Sequence, residues 1–209
     1  MNHPNPITAD PGAMRPAAAS PPAQVRVWDP LVRLFHWGLG GAVLICFLTE
    51  DELLGLHTFA GYTVLTLIGM RLIWGLIGPR HARWSSFVRG PRATLAYLGE
   101  VLRGHPRRFL GHNPAGAAMA VALMTGFGLT AVTGLMVLGA GELSGPLAPY
   151  LLGVSAATAH DFKEIHEFLA WATLALVPLH LLGVALSSLQ HRENLVRGMI
   201  DGYKRNEEE

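Results

Sequence analysis

Four stretches of this chain contain no Lys, Arg, Asp or Glu: Leu34–Thr49, Leu53–Met70, Phe109–Gly141 and Phe168–His191. An ionisable group in hydrocarbon is costly, so segments that cross a bilayer are largely cleared of them, and about 20 apolar residues are needed to cross. The first run is the shortest and borrows Leu31 and Val32, while the second continues apolar past Arg71 to Gly78. The pattern predicts four membrane helices at about 31–50, 54–78, 114–140 and 163–190, an all-α, polytopic four-helix bundle. A mean hydropathy of +0.32 with 15% charged residues agrees.

The polar residues between the runs are not evenly signed. From Pro79 to Asn113 stand Arg80, Arg83, Arg89, Arg92, Arg103, Arg107 and Arg108 against a single acid, Glu100. Short loops rich in Lys and Arg stay in the cytoplasm, so that loop is expected inside. The opposite connections hold Glu50, Asp51 and Glu52, then Glu142 and Asp161 with no base before Lys163. Both termini are therefore expected on the cytoplasmic side of the membrane. Trp28, Trp37, Trp74 and Trp84 fall near the inner boundary and Trp171 near the outer one, as interfacial belts or as core fillers.

Residues 1–24, rich in Pro and Ala and without the apolar core of a signal peptide, read as a disordered cytoplasmic leader. The membrane domain is expected over 25–202, and 203–209 as a cytoplasmic tail; the mixed-charge stretch after Gln190 reads as solvated. Within the basic loop, Pro91 opens a segment with Leu95, Leu98, Val101 and Leu102 on one side and Arg92 and Arg103 beside them. It is either an amphipathic helix on the inner membrane surface or a loop helix packed on protein.

Candidate chemistry lies in the histidines. His166 and His180 stand fourteen residues apart in the last predicted helix, hence within about 40° on one helix face and about 21 Å apart along it. Counting from the charged boundaries, His36 of the first run and His180 both fall in the inner part of the membrane, while His57 of the second run and His166 fall near the outer surface. The four rings resolve into two depth-matched pairs, with the last helix contributing one imidazole to each. Two imidazoles can fill both axial positions of a haem iron, leaving outer-sphere electron transfer as its chemistry. The single cysteine, Cys46, and the absence of Cys-x-x-Cys-His exclude an internal disulfide, a thioether-attached haem and iron–sulfur ligation. Two b-type haems, noncovalent and bis-histidine, are therefore expected, with His36 and His180 on the inner iron and His57 and His166 on the outer. The other six histidines, His3, His81, His105, His112, His160 and His191, read as solvated or interfacial.

Gly38, Gly40 and Gly41 after His36, and Gly61 one turn past His57, leave room for a flat macrocycle or a neighbouring backbone; Gly126, Gly128 and Gly134 read as helix packing only. Pro178 removes the amide that would bond the Leu174 carbonyl, so a bend is expected there. Arg33, one turn before His36, and Arg71, in the inner half of the second helix, are candidate partners of haem propionates, or snorkel to headgroups.

The strings VRVWDPLVRLFHW, LHTFAGY, RLIWGLIGPRHARWSSFVRGP, GHNPAG, IHE and HRENLVRGMI together resemble the bacterial cytochrome b561 family, which includes the b-type cytochrome subunits of nickel–iron hydrogenases. The resemblance runs over about 25–202. It implies four membrane helices, two b haems on histidines of helices one, two and four, matching His36, His57, His166 and His180, and electron exchange with quinones or a redox partner outside the membrane. The expected function is a di-haem cytochrome b between a quinone pool and a periplasmic cytochrome c or other redox protein. Membrane lipid is an expected partner and nucleic acid is not. A quinone would be sought at the inner helix ends, near Arg71, His112 and His191. Two other readings are a transition-metal transporter using the paired imidazoles, which lacks intramembrane Asp, Glu and Cys along a path, and a haem-containing anchor for a soluble oxidoreductase.

Overall fold

The computed structural model describes residues 24–49 and 52–206. The leader up to residue 23 and the acidic pair Glu50 and Asp51 lie outside the described residues. In chain order the elements are β1 (Gln24–Arg26), α1 (Pro30–Leu48), α2 (Leu54–Ile77), α3 (Trp84–Phe87), α4 (Pro91–Leu102), α5 (Pro114–Gly141), α6 (Ala148–Leu151), α7 (Ala156–Gln190), α8 (Leu195–Asp201) and β2 (Tyr203–Arg205). Four of them, α1, α2, α5 and α7, are long and apolar enough to cross a membrane. They leave leucines and phenylalanines such as Leu48, Phe59, Leu76, Phe168 and Leu189 on the outside, which suits a lipid solvent.

The helix starts are written locally. Asp29 caps α1 by accepting from the Leu31 and Val32 amides at 2.9 and 3.1 Å, with Pro30 at the first helical position. The same carboxylate accepts from Trp74 Nε1 at 3.2 Å and so ties the start of α1 to the end of α2. Asn113 caps α5 on the Gly116 amide at 2.7 Å, again with proline following. Ser155 caps α7 on the Thr158 amide at 3.1 Å. That cap starts α7 at Ala156, ahead of the apolar run, and the i,i+4 pair Lys163–Glu167 at 3.4 Å supports its polar turns. Freedom from charge marks only the part in lipid, whereas the helix continues out of it. α7 runs unbroken through Pro178.

Packing follows the order α1 on α2, α2 on α5, and α5 on α7. Leu39, Ala42, Val64, Ile68, Met124 and Phe127 form the shared core of α1, α2 and α5. α5 meets α7 closely at Gly126, where a Cβ would stand 2.4 Å from Thr173 Oγ1. Among the described residues, α7 has no comparable packing on α1 or α2, so side chains rather than backbones bridge that seam.

The arginine-rich end of the bundle is closed by a cap. β1 and β2 pair antiparallel, Val25 opposite Lys204, over a second cluster of Val27, Trp28, Val32 and Ala82. Trp28 is buried there rather than set in an interfacial belt, while Trp37 and Trp171 are exposed. The stretch after Gln190, which its mixed charge suggested is solvated, is only partly so: it folds into α8 and β2, with Arg192, Arg197 and Ile200 exposed. Its Glu193 bridges buried Arg108 at 3.1 Å and buried Lys204 at 3.6 Å. Mixed charge here is an internal network. Gln24, expected in the leader, belongs to β1.

A candidate redox centre of paired imidazoles

His166 and His180 of α7 each meet one ring from across the open seam. His36 of α1 and His180 have ring centroids 6.3 Å apart at 53°, and His57 of α2 and His166 have centroids 6.3 Å apart at 77°. The rings that meet are those that share a depth. Among the described residues, no three His, Cys, Asp or Glu gather as a metal cluster; the imidazoles come in twos.

The pair at the acidic end is held in one tautomer. His57 Nδ1 lies 3.0 Å from the Cys46 carbonyl, and His166 Nδ1 lies 2.9 Å from the Thr130 carbonyl and 3.3 Å from Thr133 Oγ1. A carbonyl only accepts, so each Nδ1 carries the proton and donates it, and each Nε2 keeps the lone pair a metal needs. Each carbonyl serves a second donor as well: the Cys46 carbonyl accepts from the Thr49 amide at 3.3 Å, and the Thr130 carbonyl accepts from Thr133 Oγ1 at 2.9 Å. Gly134, which the sequence pattern assigned to helix packing, borders this site directly. A Cβ there would stand 3.0 Å from His166 Cε1. No periodicity marks that role, because it depends on how α5 meets α7.

At the basic end, buried polar atoms without hydrogen-bond partners gather: His36 Nδ1, Arg33 Nε, Arg71 Nη1 and His112 Nδ1. Arg71 does not snorkel. It is 5% exposed, donates Nη2 to the Ala82 carbonyl at 3.0 Å, and lies over the Trp84 ring at 4.3 Å. Arg33 donates Nη1 to the Ile200 carbonyl, so α8 holds it beside α1. His112 is a correction to the solvated reading. It stacks on Phe87 at 4.4 Å and meets Trp28 edge-on at 4.8 Å. Burial first, then the charges of Arg71 and Lys204, push its pKa down to about 3, so the ring stays neutral at physiological pH. His81, half-buried, is also lowered by burial and by Arg80. His160 is exposed beside Glu164 at 3.7 Å, and His105 is exposed. His3 lies outside the described residues.

The paired geometry can be tested against an iron between the rings. A metal–imidazole bond of about 2.0 Å plus about 1.1 Å from nitrogen to ring centre gives about 6.2 Å between two axial rings. The observed 6.3 Å in both pairs fits one metal ion held between two imidazoles.

Residues 27–202 match the family model described as prokaryotic cytochrome b561. The chain is 24% identical to a probable nickel–iron hydrogenase B-type cytochrome subunit of Rhodobacter capsulatus, over 86% of this chain and 81% of that protein. It is 25% identical to the corresponding subunit of Cupriavidus necator, over 85% and 86%, and 24% to that of Azotobacter chroococcum mcd 1, over 86% and 88%. No solved structure matches the chain. Four spanning helices, two facing pairs of imidazoles and a family match across nearly the whole described chain make this protein a member of the prokaryotic cytochrome b561 family, a multi-pass membrane b-type cytochrome of electron transfer.

Proposed function

We propose that the chain carries electrons across the bacterial cytoplasmic membrane between a quinone pool and a periplasmic redox partner, with two noncovalent b haems. His36 and His180 hold one, and His57 and His166 hold the other. The observation that carries this reading is the equal 6.3 Å separation of both pairs, with one ring of each on α7. When bound, each haem supplies a one-electron iron couple with both axial positions filled. The chain's own residues do the rest. Cys46 and Thr130 carbonyls orient the acidic-end imidazoles, and fourteen residues of α7 set the two levels about 21 Å apart. Arg71, with a buried Nη1 to offer, and Arg33 are the cations for propionates at the basic end.

Seven arginines in the loop between α2 and α5 support a cytoplasmic basic end, with both termini on that side. Quinone exchange belongs at this end, bordered by Arg71, His112 and His191. An apolar cavity of 220 Å³ between α1 and α2, reached by Arg71 and Trp74, supports it. The relatives are named as hydrogenase subunits, so a nickel–iron hydrogenase is the first periplasmic partner to try; a cytochrome c is the alternative. Purified protein in detergent should give a b-type reduced-minus-oxidised spectrum and two haems per chain by pyridine haemochrome. One haem per chain overturns the paired assignment. Reduced protein that a short-chain quinone fails to re-oxidise removes the quinone from the reading and leaves a haem-bearing anchor.

A further inference from the structure

Helix α4 divides its surface three ways. At about 100° per residue, Thr94, Tyr97 and Val101 fall within about 60° of one another, Leu95, Leu98 and Leu102 within another 60° or so, and Arg92, Ala96, Glu100 and Arg103 within about 80° on the third side. The first side is on protein. Tyr97 is 2% exposed and packs edge-on against Phe109 at 5.7 Å. Thr94 Oγ1 donates to the Pro114 carbonyl at 3.4 Å, and Gln190 Nε2 donates to the Val101 carbonyl at 3.0 Å. Those two bonds anchor α4 to the first residue of α5 and the last residue of α7. It therefore lies across the bundle at the level where two spans end.

The second side has nothing on it: Leu95, Leu98 and Leu102 are 69%, 42% and 88% exposed. Water is a poor neighbour for three leucines in a row, and the edge of the hydrocarbon lies at that level. The third side is basic. Its one acid, Glu100, is matched by Arg107, whose Nη2 stands at 2.8 Å, which leaves Arg92 and Arg103 as the charges that face outward.

We propose that α4 is a lipid-binding interfacial helix whose Leu95–Leu98–Leu102 stripe enters the adjacent monolayer while Arg92 and Arg103 pair with the phosphates of anionic phospholipids. Apolar burial and charge pairing act together on such a helix, and each basic residue near an anionic surface adds to the attraction. The proposal rests on the four spans and on α4 itself, so it is independent of which residues hold haem.

The test uses the full chain in nanodiscs, with Cys46→Ala as background and spin labels placed by Leu98→Cys, Leu95→Cys or Ala96→Cys. Power saturation by oxygen and by a water-soluble nickel chelate then reads where each label sits. The expected oxygen-to-nickel accessibility ratio at 98 and 95 is several-fold above that at 96. Equal ratios at all three positions, or labels at 98 and 95 shielded from both agents as under another protein or a second copy, overturn insertion. Phosphatidylcholine discs with added phosphatidylglycerol should draw the labels at 98 and 95 deeper than phosphatidylcholine alone, and R92Q/R103Q should abolish the difference. The same depth in both lipids overturns the part of the proposal that names the anionic headgroup.

Discussion

Gly134 stands where any larger residue would press on His166. A Cβ 3.0 Å from the imidazole carbon is tighter than ordinary contact, and a branched side chain adds atoms that α5 and α7, packed along their length, cannot move apart to admit. Gly134→Val should therefore lower the haem content from two per chain to about one, with the basic-end haem retained, as read by pyridine haemochrome and by low-temperature electron paramagnetic resonance. His57→Ala should give the same spectrum and His180→Ala its complement; equal loss of both haems in each would contradict the pairing. Arg71 sits fourteen residues after His57, on the same face of α2 and about 21 Å deeper, at the depth of His36 and His180. A buried cation there favours the reduced iron. Arg71→Gln should move the basic-end midpoint potential downward by on the order of tens of millivolts, in a redox titration that leaves the other haem unmoved.

The elements differ in how openly the sequence announces them. Lipid clears charge from α1, α2, α5 and α7, and depth counted from their flanking charges pairs the imidazoles that face each other in the fold, because both signals are set by the membrane and not by the detail of packing. The cap at the basic end obeys other rules. Glu193, Arg108 and Lys204 look like solvated charges along the chain and become a buried network only once β2 lies on β1. His112 and Gly134 are hidden for the same reason, as each acquires its role from a neighbour distant in sequence. Burial raises the Glu193 carboxyl, but Lys204, the Arg205 amide and Arg108 outweigh it and hold the pKa below 4.5. A carboxylate depressed in the folded state stabilises fully above its ordinary pKa and loses that contribution as pH falls through the lowered value. Thermal unfolding of the purified protein should therefore be insensitive to Glu193 protonation at neutral pH and show its loss only below about pH 4.5. Glu193→Gln, which leaves two buried cations facing no carboxylate, should cost about 3–5 kcal/mol at pH 7 and flatten that acid limb.

At the scale of the whole molecule, the ladder pairing Gln24 with Arg205 brings the two ends of the described chain together on one side of the bundle. Four crossings require this, and the arginines choose the side. A green fluorescent protein fused after residue 206 should fluoresce, and alkaline phosphatase inserted at Leu143, in the turn after α5, should be active. The reverse pattern would place the basic end, with Arg71 and His112, on the periplasmic side. The order α1, α2, α5, α7 leaves α7 packed along its length on α5 alone among the spans, with His166 and His180 meeting rings of α2 and α1.

One consequence concerns the overhang of α7. Its turns from Ala156 to Phe162 project beyond the apolar run, and the same unbroken rod carries His166 and His180. A protein that grips this stub holds the handle of a lever bearing one imidazole of each facing pair, so any tilt it imposes reaches both pairs in a single movement.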